Sequence, residues 1–241
     1  VVMAMPAANH EQRRAALEVC NRADVKVLTV PSYDDLVSGR VTVSSLRAIE
    51  LDDLLGRDPI LLDDAGLHQL LTGRTVMVTG AGGSIGSELC RQIARFEPRL
   101  LVMFELNEFA LYSMSEEMGR NAPALETVCA IGDVKDEARV REIVARYTPS
   151  IVFHAAAYKH VPLMENENAW AALQNNVLGT YTVAQAAAAH GVERFVLIST
   201  DKAVNPTNVM GATKRLAEQL CHSLQAHTKM ALVAVRFGNV L

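Results

Sequence analysis

The stretch TGAGGSIG, residues 79–86, constrains the fold more than any other part of the chain. Gly80, Gly83 and Gly86 follow an apolar strand pattern, TVMVT, and open a helical one. At that spacing a chain turns sharply and lets a diphosphate approach backbone amides at a helix N-terminus, here over Gly83, Ser84 and Ile85. Alone, a glycine triplet says little. A strand before it, a helix after it and a second strand pattern at Leu100–Phe104 are the context a dinucleotide-binding unit demands, and an ordinary tight turn does not account for them.

Strand patterns recur downstream as LLVMF, LETVCAI, SIVFHAA, RFVLIS and MALVAVRF, with helical stretches between them. Strands apolar on both faces imply a doubly wound parallel α/β sheet, Rossmann-like, with helices on each side. Residues 74–241 are expected to form this NAD-binding domain, with a last helix over about Val209–Ala226. Before it, Val1–Met5, an amphipathic helix from about Asn9 to Ala23 and Val25–Val30 read as a βαβ fragment. In that helix Arg13, Arg14 and Glu18 are expected to face water. Residues 1–31 would thus be the tail of a second Rossmann-like domain. Residues 32–73, polar and strand-poor with turn signals at Gly56 and Asp58-Pro59, read as a linker. The chain opens on a strand pattern without an initiator Met and stops after another, so both ends read as cut from something longer.

Half of the 241 residues are hydrophobic, ample for a buried core. The formal net charge of −4 is spread over mixed Lys, Arg, Asp and Glu without a basic stripe, so a nucleic-acid partner is not expected. Cys20, Cys90, Cys129 and Cys221 lack metal-site or disulfide-scaffold spacing, which predicts reduced thiols and no metal. No run of about 18 to 20 apolar residues is present, so no membrane contact is expected of this segment.

Glu105 falls 19 residues past Gly86, at the end of the second strand. A carboxylate there can accept from adenosine ribose hydroxyls and repel a 2′-phosphate, which favours NAD and leaves NADP as the alternative. Asp133 and Val134, after the third strand, are placed to meet the adenine edge; capping of the next helix by Asp133 or Asp136 is the other reading.

The stretch STDKAVNPTNVMGATK, residues 199–214, presents Met210 where a short-chain dehydrogenase carries its tyrosine base. A thioether has no proton to give or take, so the acid and base must lie elsewhere or be absent. With TGAGGSIG, HAAAYKHVPLMENE, NNVLGTY, STDKAVNPTN and RFGNVL in this order, the chain resembles an extended short-chain dehydrogenase/reductase. More narrowly, it resembles the nucleotide-sugar 4,6-dehydratases of bacterial polysaccharide biosynthesis, from about Leu61 onward. Residues 1–60 resemble the end of the domain preceding the dehydratase in large, membrane-anchored members, some of which carry methionine at the tyrosine position.

The resemblance implies oxidation of a UDP-sugar at C4, loss of water across C5 and C6, and return of the hydride to C6, with UDP-N-acetylglucosamine the usual substrate. Lys202 would take the C5 proton and a protonated, desolvated Asp201 would deliver one to the C6 oxygen. The bland alternative for this pair is a loop salt bridge or helix cap. Thr200 would hydrogen-bond the C4 oxygen, and Lys214 would hold the nicotinamide ribose. Met210 would be apolar filling against nicotinamide or sugar, and Ala155 and Ala156 after His154 would line the cofactor. Lys159, His160 and Asn239 would face the substrate. Thr200, Lys202 and water all remain open as acceptors of the C4 hydroxyl proton. The resemblance also implies a cytoplasmic region of a parent protein anchored to the inner membrane, homo-oligomerisation, and little turnover by a segment without the C-terminal region that closes over the sugar. Rival classes are a UDP-sugar 4-epimerase or 4-dehydrogenase, and a non-catalytic NAD sensor.

Overall fold

The computed structural model describes residues 63–238 together with positions 2–3, 12, 16, 19–20, 23, 25, 28–29 and 47–48. The chain divides into one unit over Val1–Leu62 and another over Asp63–Val240. In the first, β1 (Val2–Met3) pairs in parallel with β2 (Leu28–Thr29), and β2 pairs antiparallel with β3 (Arg47–Ala48). Gln12, Ala16, Val19 and Cys20 between them are helical. The expected solvent positions Arg13, Arg14 and Glu18 lie outside the described residues, as does Asn239.

The second unit begins with helix α1 (Asp64–Leu71), whose N-terminus is capped by Asp63 accepting from the Gly66 amide. These residues belong to the segment read as a linker, yet Leu71 is buried, and Leu67 and Leu70 pack on the same core. Strand β4 (Thr75–Thr79) then leads through the glycine loop into α2 (Ser84–Ala94). Next come β5 (Leu100–Glu105), α3 (Glu108–Asn121), β6 (Thr127–Ile131), α4 (Glu137–Tyr147) and β7 (Ile151–His154). The link to the next strand is broken: α5 (Val161–Met164), a 3₁₀ turn, α6 (Ala169–Leu173), a π turn (Gln174–Leu178) and α7 (Gly179–Ala189). Strand β8 (Arg194–Thr200), helix α8 (Val209–Gln225) and β9 (Ala231–Phe237) complete the unit.

All six strands from β4 onward run parallel in the order β6-β5-β4-β7-β8-β9. This is the doubly wound sheet the sequence predicts. Alternation along the strands divides the core between the two faces: Met77, Val102, Phe104, Val152, Phe195 and Leu197 pack toward α4, α7 and α8. Val76, Val78, Leu101, Met103 and Ile151 pack toward α1, α2 and α3. Each such side chain contributes about 1.5–3 kcal/mol by leaving water, so the sheet is held from both sides. The chain winds outward from β4 on one side and from β7 on the other. Strand order therefore reverses between these two, and a crevice opens at their carboxyl ends.

Candidate cofactor cleft and the Thr-Asp-Lys turn

Helices α1, α3, α4 and α8 each have an Asp or Asn side chain accepting an N-terminal amide. Helix α2 begins at Gly83, which has no side chain to do so. The first amides of a helix lack intrahelical acceptors, so those of α2 remain available to an anion. The three fingerprint glycines do different work. Gly80 has φ +68°, and a Cβ there would lie 2.7 Å from Ala156 Cα. At Gly86 a Cβ would overlap the Gly80 carbonyl oxygen at 1.9 Å, so only glycine lets α2 pack on the loop. At Gly83 the nearest atom would be that same oxygen at 3.3 Å, so its value lies in leaving the helix end open to a ligand.

Two adjoining clefts lie over the strand reversal. One, of about 290 Å³, is lined by Gly80, Gly83, Glu105, Asp133, Val134, Ala155 and Ala156 among others. The other, of about 510 Å³, is lined by Ser84, Ile85, Gly86, Lys159 and His160 together with Leu163 and Met164. Gly83, Ala155, Ala157 and Tyr158 line both. Every residue expected at the cofactor except Lys214 therefore lines one of two contiguous spaces. Lys159, expected at the substrate, donates from Nζ to Ser84 Oγ at 2.7 Å, which sets its charge at the α2 N-terminus. The glycines fit a dinucleotide diphosphate, since any larger side chain would fill the approach.

Glu105 does more than await a ribose. Its Oε2 accepts from the Gly82 amide at 3.0 Å, and its Oε1 accepts from the amides of Leu106 and Asn107, each at 2.9 Å. The carboxylate ties the glycine loop to the turn after β5 in the wall of the smaller cleft. Asp133 is ion-paired with Lys135 at 2.7 Å, and Asp136, not Asp133, caps α4. Glu105→Ala is expected to relax the preference for NAD over NADP and Glu105→Arg to reverse it, measured as the ratio of dissociation constants. A wild type that already prefers NADP would overturn this role.

At the carboxyl end of β8, Thr200 Oγ donates to Asp201 Oδ1 at 2.9 Å and accepts from the Lys202 amide at 3.3 Å. Lys202 Nζ lies 3.4 Å from Asp201 Oδ1. The expectation of a desolvated, protonated Asp201 is corrected here. Asp201 is exposed, and hydrogen bonds from Thr200 and Lys202 hold its carboxyl below the usual carboxylate range, so the resting group is an ionised acceptor. The pair does form the local salt bridge that was the alternative reading.

Lys214, expected at the nicotinamide ribose, does not line these two clefts. It is buried, donates from Nζ to the Ile198 carbonyl at 2.8 Å, and is pushed down to about 8 by burial, partly opposed by Glu218 and Cys221. Glu218 is itself held by Arg236 Nε and Nη2 and by Ser199, and these donors overcome the effect of burial and keep it below its ordinary value. Met210 is apolar filling, but it packs with Met164 and Ala172 and lines neither cleft. Thr200, Asp201 and Lys202 likewise stand beside the two clefts, not in their walls. Helix α8 nevertheless presses on their turn: a Cβ on Gly211 would lie 2.5 Å from the Lys202 carbonyl oxygen.

Sequence reading missed Asn176 and the buried groups around it. The signal was present, because NN within the apolar stretch ALQNNVLGT is hard to place unless both amides find partners. Among the described residues, no helix is long and apolar enough to cross a membrane, and no cluster of His, Cys, Asp or Glu could hold a metal.

A glycine loop between β4 and α2, the strand reversal above it and a Thr-Asp-Lys turn ending β8 define a domain of the extended short-chain dehydrogenase/reductase class. Within that class, the chain belongs to the polysaccharide biosynthesis protein family, whose pattern matches residues 76–241. It is 45% identical to the capsular polysaccharide biosynthesis protein CapD of Staphylococcus aureus, over 100% of this chain and 40% of that protein. It is 30% identical to a UDP-N-acetylglucosamine 4,6-dehydratase (inverting) of Campylobacter jejuni, over 71% of this chain and 51% of that one. A UDP-glucose 4-epimerase of Rickettsia massiliae is 32% identical, over 71% of this chain and 50% of the epimerase. The chain thus spans from two-fifths to half the length of these curated relatives.

Proposed function

We propose that this chain is the cofactor-holding part of a nucleotide-sugar 4,6-dehydratase that converts UDP-N-acetylglucosamine to its 4-keto-6-deoxy product in polysaccharide biosynthesis. The observation that carries the reading is the Asp201–Lys202 pair beside Thr200, at the carboxyl end of the strand next to the glycine cleft. NAD would be held by the α2 amides and by the wall Ala155–Ala156, and would supply a hydride acceptor for the sugar C4 that gives the hydride back at C6 once water has left. Thr200 holds the C4 oxygen. A ketone at C4 acidifies the C5 proton, which Lys202 removes and gives back when the hydride returns to C6, while Asp201 gives a proton to the departing C6 oxygen. Because the resting pair is a salt bridge, the Lys202 ammonium passes its proton to the Asp201 carboxylate in the complex, where the sugar displaces water and burial favours both neutral forms, leaving an amine to take the C5 proton and an acid to protonate the C6 oxygen. Met210, enclosed by Met164 and Ala172, takes no part in proton transfer.

Epimerisation at C4 shares the oxidation but needs no acid and base at C5 and C6, so the Asp-Lys pair favours dehydration. The test is incubation of the full-length protein with NAD and UDP-N-acetylglucosamine, read by mass spectrometry. A product lighter by one water is expected. An isomer of unchanged mass would establish the epimerase instead, and tight NAD binding without turnover a sensor.

A further inference from the structure

We propose that His154 is a positioning residue that couples the floor of the glycine-loop cleft to helix α8 through a continuous buried chain of hydrogen bonds. The inference rests on the reading of that cleft as the NAD site. His154 ends β7, has no exposed surface, and is directly in register with Thr79 on β4. Its Nδ1 lies 2.7 Å from Thr79 Oγ and its Nε2 3.1 Å from Thr180 Oγ. Thr180 donates its single hydroxyl hydrogen to the Asn176 carbonyl at 2.7 Å, so it can only accept from the ring. The ring therefore carries its proton on Nε2, and Thr79 donates to Nδ1. Burial, with the Lys214 charge nearby, pushes the imidazole down to about 3, so the ring stays neutral across the physiological range.

From Asn176 the chain continues in two directions. Its Oδ1 accepts from the Tyr158 amide at 2.8 Å and from Asn175, and its Nδ2 donates to the Tyr158 carbonyl and to Thr213 Oγ, each at 3.0 Å. Thr213 in turn donates to the Met210 carbonyl at 2.8 Å. All four hydrogen-bonding positions of the carboxamide are thus used, which fixes its orientation. The chain touches the cleft through Tyr158, adjoins it at Thr79 and reaches helix α8 at Thr213. Thr79 precedes Gly80, Tyr158 lines both clefts, and Thr213 precedes Lys214. Asn176 sits in the π turn, where pairing is shifted by one residue, a distortion often retained at functional positions.

A set of satisfied core groups with no further role would look similar at rest, but would affect stability alone. Thr180→Val keeps the volume and removes the hydroxyl on which His154 and Asn176 meet; Thr180→Ser restores it. By calorimetry the Val variant is expected to bind NAD about tenfold more weakly, and the Ser variant within about twofold of wild type. Losses from Thr79→Val and Thr213→Val are expected to be non-additive, since both act through one chain. A Thr180→Val protein of lowered melting temperature but wild-type NAD affinity would overturn the proposal, as would strict additivity. Should that variant not fold, nitrogen-15 NMR of the wild type decides: a ring proton on Nε2 is expected, and one on Nδ1 overturns the chain. Failure of the wild type to bind NAD would remove the reading of the cleft, and the inference with it.

Discussion

Gly86→Ala is expected to abolish NAD binding and to lower the melting temperature by about 5 °C or more, whereas Gly83→Ala leaves the melting temperature nearly unchanged. The added methyl at Gly86 would lie 1.9 Å from the Gly80 carbonyl oxygen and 2.7 Å from its carbon. Neither partner is a flexible side chain. Gly80 is pinned by its positive φ, by Ala156 behind it and by its amide donating to the Phe104 carbonyl at 2.8 Å. Helix α2 must therefore move away from the loop, and the amides of Ser84, Ile85 and Gly86 move with it. Overpacking against backbone costs about 1–3 kcal/mol or more. At Gly83 the added methyl meets that oxygen at 3.3 Å, which a shift of a few tenths of an ångström relieves. Its cost appears at the open helix end, as weaker NAD binding that grows when a β-branched residue replaces alanine. Thermal unfolding and calorimetry of both variants check this. Wild-type affinity in Gly86→Ala would show that the loop and helix do not form the cofactor site.

The glycine spacing and the doubly apolar strands made the sheet legible, because both are local consequences of its construction. TVMVT spans β4 as expected, and the last helix ends within one residue of its expected end. What the sequence hid is non-local. Residues 64–71 read as the end of a polar, strand-poor linker, yet Leu67, Leu70 and Leu71 recur at helical spacing and reach the core. The broken segment after β7 follows from contacts between distant residues: Asn176 grips Tyr158, 18 residues earlier, and Glu165 accepts the Val209 amide of α8, 44 residues later. The identity of Asp201 and Lys202 as a pair was legible from their adjacency. The protonation state of Asp201 was not, since it depends on exposure and on donors that only the fold supplies.

In the full-length protein, Asp201→Asn and Lys202→Ala are each expected to slow dehydration by about two to four orders of magnitude, and to do so at different steps. Asparagine retains an acceptor for the Thr200 hydroxyl, so the turn keeps its shape while its proton donor is lost. Removal of the C5 proton then survives: with substrate in heavy water, Asp201→Asn should still exchange deuterium into C5 without releasing the C6 hydroxyl. Lys202→Ala should stop both exchange and dehydration, because the buried amine on the neighbouring helix, Lys214, is turned to the Ile198 carbonyl. Neither residue lines the two clefts, so NAD affinity should stay within about twofold of wild type. Met210→Ala gives the contrast. Its side chain lies buried against Met164 and Ala172, so truncation should lower stability by about 2–5 kcal/mol while turnover per folded molecule falls little. Near-normal dehydration by Lys202→Ala would remove that lysine from the mechanism. C5 exchange lost equally in both variants would mean that Asp201 acts by holding Lys202 in place, through the contact of 3.4 Å between them, and not as the acid.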